Sequence, residues 1–499
     1  MGVKMLISTA KTYERAMANA TSYDEWCDAA HQYDGKMGFN RWKLMDQSMR
    51  YDYVSIRVRL DRLRAMRARH DNKGLLFTLN EGIHGNMGGM GNAELYHKAK
   101  LGTKKLIVDY VDEIVSALEY IASPEVDDIS FEQKLDFFRR AHHCFGSSAL
   151  MMSGSGMLLY FHMGVVKTLW EHGLLPNVLS GSSGGALVGS IVSTHSDEQM
   201  KDFFDPEKTA SSIEKGTGLL GLMTSLAPPK LTNADRLEMI GEFVPNMTFQ
   251  EAYELTGRHL NVSIAPVETH QTSRLLNAVT SPNVFVRDAV LASTAVPGVF
   301  PPQTLYAKND HGERQAYLPS RKWVDGSVSD DLPAKRLARL YAVNHYIVSQ
   351  TNPHVLPFLS DSHRKPGPVS QLQYAAVSTA RIWLNTSLDI MQKPMTRSPL
   401  LTKASNMLLS IVNQDYVGDI NILPSQRFNN PLKILAHLTS DDIRKLMLMG
   451  ERSTWPKLEM IRTQTKIGHT LEDILRSYES DFVYNKSSRA SLSTEKKAS

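Results

Sequence analysis

The chain has two cysteines in 499 residues, Cys27 and Cys144, too few for a disulfide framework, which favours a reducing compartment. No run of about 18 apolar residues occurs, so no segment is expected to cross a bilayer. The opening MGVKMLISTAKTYERAM lacks the apolar stretch of about 7–15 residues that a secretory signal needs. These absences point to an intracellular protein, cytoplasmic or peripherally attached to a membrane or lipid surface. An excess of one charge is missing too. The 56 Lys and Arg against 52 Asp and Glu leave a net +4, with no electrostatic footprint for nucleic acid. No His/Cys/Asp/Glu cluster has metal-ligand spacing, so neither a metal nor another cofactor is expected. Internal repeats are absent, and nothing in the pattern reports an oligomeric state.

What the sequence does contain is a change of grammar near residue 145. Residues 1–145 read as a helical domain. In it, KLIVDYVDEIVSALEYIA (Lys105–Ala122) carries apolar residues at helical spacing, and Ser130-Phe131-Glu132-Gln133 forms a capping box ahead of FEQKLDFFRRAHHCF. A Gly-rich stretch, GIHGNMGGMGN, follows no clear strand and is read as a loop. From Arg41 to Arg69 nine Lys/Arg face three Asp. Arg59, Arg62 and Arg69 share one side of a helix, either a lipid-headgroup face or a face paired with acids elsewhere.

Residues 146–352 alternate strand and helix. ALMMS, VLS, LNVSIAPVE, KWVDGS and HYIVSQ read as strands, with PNVFVRDAVLASTA and PAKRLARLYA among the helices between them. That alternation predicts a mainly parallel sheet with helices on both faces. An insertion near 200–249 holds an apolar loop (Leu219–Leu226) that could serve as a lid or touch lipid. Residues 353–485 read as a helical C-terminal region, and 486–499 as a disordered tail.

Within the α/β region, Gly181-Ser182-Ser183-Gly184-Gly185 fits G-x-S-x-G between a strand and a helix, the pattern of a nucleophile elbow. Alone, it also fits a flexible serine loop. Gly181 and Gly185 would remove Cβ atoms where the backbone folds sharply. One βα unit earlier, Ser153-Gly154-Ser155-Gly156 could aim backbone amides at a substrate oxygen; it lacks the Lys-Ser/Thr of a phosphate-binding loop. Asp325-Gly326 ends a third strand, where a carboxylate could face the same sheet edge as Ser183.

In this order the three motifs resemble the patatin-like phospholipases. TFQEAYELTGRHLNVSIAP, LASTAVPGVFPP, WVDGSVSDDLPAKRL, NHYIVSQTNPHV, GNMGGMGNAELYHKAKLGTKKLI and QDYVGDINILPS look like the subgroup of patatin-domain triacylglycerol lipases, known from yeast with bacterial relatives. The resemblance runs from about Tyr23 to about residue 475. It implies a three-layer α/β/α sandwich flanked by helical regions, with a serine–aspartate dyad that needs no histidine. Carried over, Ser183 is the nucleophile and Asp325 the base. Gly154, Ser155 and Gly156 form the oxyanion hole, and Gly181, Gly185 and Gly326 support the motifs. The implied activity is hydrolysis of fatty-acyl esters of triacylglycerols or phospholipids at a lipid surface. Two departures stand out: Leu158 and Leu159 replace a basic residue and a glycine of the family loop, and the dyad turn reads Asp-Gly-Ser.

Three other readings compete. A Ser-His-Asp hydrolase would need a histidine after Asp325, such as His345, His354 or His437. A lysophospholipid acyltransferase could use the same serine, and His437 with Asp442 matches the H-x4-D spacing of some acyltransferases. A catalytically silent protein could bind lipid through its basic helix.

Overall fold

The computed structural model describes residues 2–205, 232–268, 271–297, 299–328, 330–352, 418–425 and 439–498. The apolar loop Leu219–Leu226, the helical readings at 371–391 and 404–414, and His354 and His437 lie outside them. The chain forms two compact units, one of residues 1–147 with 456–499 and the other of 148–455.

The first unit is helical. Lys105–Ala122 forms one helix with its 3.6-residue stripe (Leu106, Ile107, Tyr110, Val111, Ile114, Leu118, Ile121) buried. The Ser130 capping box opens the helix Phe131–Phe145. A last helix, Leu458–Ala498, packs on both. Tyr478 stacks on Phe131 with ring centroids 5.1 Å apart and donates its hydroxyl to the Ala122 carbonyl at 2.8 Å. Its Gln464 side chain also donates to the Gly91 carbonyl at 3.1 Å, so the Gly-rich stretch serves as a packed structural loop. The region 353–485 is thus divided at Trp455 between the two units. Helical backbone continues through the polar tail to Ala498; its Ala, Lys, Arg and Glu are good helix formers.

Several arginines of the basic segment have partners within the unit. On the helix Tyr53–Ala68, Arg57 pairs with Asp46, Arg59 donates to Tyr110 Oη and the Thr78 carbonyl, and Arg64 and Arg67 share the buried Glu113. Of the three arginines on the stripe, Arg59 is held inside its own unit, while Arg62 and Arg69 are exposed.

The second unit is an α/β sandwich. Its main sheet contains β1 (Ser147–Met152), β2 (Val178–Gly181), β3 (His259–Pro266), β4 (Arg274–Leu276), β7 (Trp323–Asp325), β8 (Val343–Ser349) and β9 (Ile420–Ile422). β5 (Leu305–Lys308) and β6 (Arg314–Tyr317) form a separate hairpin. The order is β4-β3-β2-β1-β8-β9, with β7 also on β3. β1–β2, β2–β3 and β8–β9 run parallel, whereas β4 and β7 run antiparallel to β3.

Alternation along β1 sends its side chains to two helical layers. Ala149 and Met151 join Leu337 of the helix Ala334–Tyr341 in one core cluster. Met152 meets Gly189 of the helix Gly184–Thr194 on the other side. Every residue of that second helix is buried, and its small side chains allow the close approach. The helix Leu159–Glu171 packs against Ser440–Thr454. At that crossing a Cβ on Gly164 or Gly450 would strike the other helix's backbone.

Candidate active site

β3 brings the two motif residues together. Val262 pairs with Gly181 on one side and Leu276 on the other, while Ile264 pairs with Asp325 and Arg274. Since β4 takes one edge of β3 at both positions, β2 and β7 must share the opposite edge. They approach head to head, β2 ending at Gly181 and β7 at Asp325, with only the position facing Ser263 between their ends. The strand-end loops do face one another, and β7 reaches the junction as an antiparallel strand of the otherwise mainly parallel sheet.

Ser183 sits where β2 turns into the helix Gly184–Thr194, with φ 51° and ψ −120°. A non-glycine residue at such a positive φ stores about 1–3 kcal/mol of strain that its surroundings must hold. The surroundings do hold it. A Cβ on Gly181 would collide with the backbone of Gly185, and one on Gly185 with the backbone of Met152. The Ser183 amide donates to Ser293 Oγ at 2.9 Å.

Ser183 and Asp325 are both buried at the facing ends of β2 and β7, and the serine hydroxyl helps to stabilise the charge of the carboxylate. Burial pushes the Asp325 carboxyl up to about 6. The Ser327 amide, donating at 2.9 Å, the Ser327 hydroxyl and the Ser183 hydroxyl pull it back, and the Asp331 charge adds to the rise. The serine of Asp-Gly-Ser therefore supplies a second donor to the carboxylate. A Cβ on Gly326 would overlap the Ser263 backbone, which is why the turn needs glycine.

The loop after β1 lies against the elbow: a Cβ on Gly184 would meet Ser155 Oγ and, at 3.2 Å, the Gly156 carbonyl. One expectation changes here. The Gly154 amide donates to Asp331 Oδ1 at 2.8 Å and is not available to a substrate oxygen. Among the described residues, the amides of Ser155, Gly156 and Gly184 have no acceptor. Leu158 and Leu159, standing where the family has a basic residue and a glycine, are buried and bring no charge.

The histidine readings meet other partners. His345 Nδ1 lies 3.0 Å from Ser148 Oγ. The buried His162 bonds Ser349 Oγ at 2.6 Å and the Ser153 carbonyl at 3.0 Å, and burial pushes its pKa down to about 4. Asp442 forms the capping box of the helix Ser440–Thr454 with Thr439, which accounts for it without acyltransferase chemistry.

Three residues around this site have no role in the sequence reading, although Asp331 and Ser293 lie in stretches that carry the resemblance. Asp331 is buried against Gly154 and Ser182. Ser293 holds the elbow amide. Arg236 is fully buried beside Thr294, its guanidinium 3.9 Å from the Phe300 ring centroid.

Family comparison agrees with the geometry. Residues 150–338 match the family described as "Patatin-like phospholipase", and residues 5–143 match a "Domain of unknown function (DUF3336)". Triacylglycerol lipase 4 of Saccharomyces cerevisiae is 34% identical over 89% of this chain and 50% of its own length. Triacylglycerol lipase SDP1L of Arabidopsis thaliana is 32% identical over 93% and 58%, respectively. Triacylglycerol lipase ptl3 of Schizosaccharomyces pombe is 32% identical over 90% of this chain and 94% of its own. The chain thus spans about half the length of some relatives and nearly all of another. With the elbow, the Asp-Gly turn and the sheet that joins them in place, and with similarity extending through both units, the chain belongs to the patatin-like phospholipase family, in the subgroup that carries a DUF3336 domain ahead of the patatin domain.

Proposed function

We propose that this protein is a carboxylic ester hydrolase that cleaves fatty-acyl esters of triacylglycerols or phospholipids. The observation that carries the reading is the convergence of Ser183, on its strained elbow, with the buried Asp325 at the facing ends of β2 and β7 along β3. Ser183 Oγ attacks the ester carbonyl and passes its proton to Asp325. A carboxylate raised to about 6 is a better base near neutrality than an ordinary aspartate. The tetrahedral oxyanion is received by the Ser155 and Gly156 amides, each such donor being worth about 2.7–4 kcal/mol in transition-state stabilisation. Asp325 returns the proton to the leaving alcohol, then takes one from the water that opens the acyl-enzyme. The substrate class follows the relatives, which are named triacylglycerol lipases.

The lipid is met at a membrane or droplet surface, and we infer that the helical unit touches it through Leu44, Met45, Met49, Val54 and Val58. These are five of the eleven exposed large apolar residues among the described residues, with the exposed Arg41 and Arg62 nearby in sequence. Two unpaired cysteines fit work inside the cell.

Emulsified trioleoylglycerol and phosphatidylcholine, offered to wild type and Ser183→Ala, test the reading together with fluorophosphonate labelling. Wild type should release fatty acid and label at Ser183, and the variant should do neither. Labelling elsewhere, or activity surviving in the variant, would overturn it.

A further inference from the structure

The sequence reading gives Asp331 no role, yet it is as deeply buried as the dyad. Its Oδ1 accepts the Gly154 amide at 2.8 Å and, at closer range, the Ser182 hydroxyl. Its Oδ2 accepts the Asn352 side-chain amide at 3.3 Å. Gly154 follows β1, Ser182 follows β2, Asn352 follows β8, and Asp331 itself follows β7. One carboxylate therefore joins four chain segments beneath the site.

The chemistry of that junction calls for an acid. Three donors converge on it, and only an ionised carboxylate accepts from all three without presenting a hydrogen of its own. Bonds from neutral donors to a charged acceptor are also stronger than neutral pairs. The two ends it grips are the critical ones. Ser182 immediately precedes the nucleophile. Gly154 immediately precedes the Ser155 and Gly156 amides, and the loop is wedged from the other side, since a Cβ on Gly154 would lie 2.8 Å from Ser327 Cβ.

We propose that Asp331 is a positioning residue that locks the 154–156 loop to the nucleophile elbow, so that the Ser155 and Gly156 amides stay aimed at the ester oxygen while Ser183 attacks. The inference rests on the dyad reading above. It has an electrostatic side as well. Burial raises the Asp331 carboxyl to about 6, Ser182, Gly154 and Asn352 oppose this, and Asp330 adds to it. Its charge in turn raises Asp325. The other charged or titratable groups around the pair are Arg236, which feels the Asp325 charge, and His162, linked through Ser153 and Thr351.

Asp331→Ala and Asp331→Asn separate a lock from simple filler. Kinetics on a soluble aryl ester would be read alongside hydrogen exchange of the peptide spanning 153–158. Asp331→Ala should lower kcat by about 100-fold with KM little changed, in line with losing an aligned oxyanion donor, and should speed exchange at Gly154. Asp331→Asn keeps one acceptor oxygen and loses the charge. It should recover kcat to within about tenfold of wild type and move the acid limb of kcat/KM to lower pH. The proposal is overturned by an alanine variant with unchanged kcat and unchanged exchange, or by an asparagine variant that recovers nothing. Should the alanine variant not fold, Ser182→Ala and Asn352→Ala each remove one donor. Unchanged kcat and exchange in both would equally overturn the lock. A wild type that fails to label with fluorophosphonate would sink the dyad reading instead, while exchange at Gly154 would still decide whether Asp331 holds the loop.

Discussion

Ser293 Oγ accepts the amide of Ser183 at 2.9 Å and donates to the Ser263 carbonyl at 2.8 Å. One hydroxyl thereby fastens the elbow to β3 and occupies the backbone donor of the nucleophile itself. Ser293→Ala would leave a buried amide and a buried carbonyl unpaired, at a cost of about 1–3 kcal/mol. We expect denaturant unfolding of this variant to show that loss, with kcat falling while KM holds. Wild-type stability and kcat together would mean the elbow keeps its geometry without Ser293.

The Asp325 pKa of about 6 makes a statement about stability as well as rate. Only the ionised carboxylate can take the serine proton, so kcat/KM should fall as pH drops through about 6. For stability the sign is the reverse. Folded Asp325 holds its proton to higher pH than the unfolded chain, whose value is near 3.8. Its stabilising contribution is present below 3.8 and lost as pH rises through about 6. Asp325→Asn, which never ionises, should therefore be inactive, and it should melt above wild type at pH 8 with the gap closing toward pH 4. A variant that melts below wild type at pH 8 would contradict the buried-charge account.

Arg236 should act on the base with the opposite sign to Asp331. Its Nη2 donates to the Thr294 carbonyl at 3.1 Å and to Thr294 Oγ1 at 2.9 Å, whereas among the described residues Nε and Nη1 have no partner. Burial lowers the guanidinium to about 10, and the Asp325 charge partly restores it. The same attraction favours the ionised form of Asp325. Arg236→Met should shift the acid limb of kcat/KM to higher pH. Because an incompletely paired buried cation is expensive, the variant should melt at or above the wild-type temperature.

Surface attachment can be separated from catalysis. Met49 and Val58 are fully exposed and 60% exposed, respectively. Met49→Asp with Val58→Asp should reduce flotation with triolein emulsions coated in anionic phospholipid and reduce hydrolysis of them. Turnover of a soluble ester should not change. Undiminished flotation would move the lipid contact elsewhere. Charge reversal at Arg64 and Arg67 should act mainly through stability, because both are held by Glu113.

Local chemistry was the legible part of this sequence. The helix Lys105–Ala122 buries the apolar stripe its periodicity predicts, and the capping box at Ser130 formed as read. Ser183 and Asp325 could be singled out because an elbow and an Asp-Gly turn are short patterns set by their own backbone needs. Asp331, Ser293 and Arg236 could not, since each acts on a residue dozens of positions away and nothing beside it in sequence marks the partner. The pairing of Arg64 and Arg67 was hidden in the same manner. Both arginines are visible in the sequence, but the buried Glu113 that takes them reads as one acid among many. The loop after β1 could be read as a loop, yet the direction of the Gly154 amide depends on a carboxylate 177 residues later.

The helix Leu458–Ala498 has a practical consequence for anyone who cuts this chain. It completes a unit that begins at the other end of the polypeptide, so the α/β unit is spliced into the helical one rather than placed after it. A fragment ending at residue 338 or 455 would strip the aromatic seam around Phe131, Phe138 and Tyr478 and leave a sticky helical stump. During synthesis the early helices must wait, unfinished, until the whole intervening domain has emerged, which makes them the natural clients of chaperones.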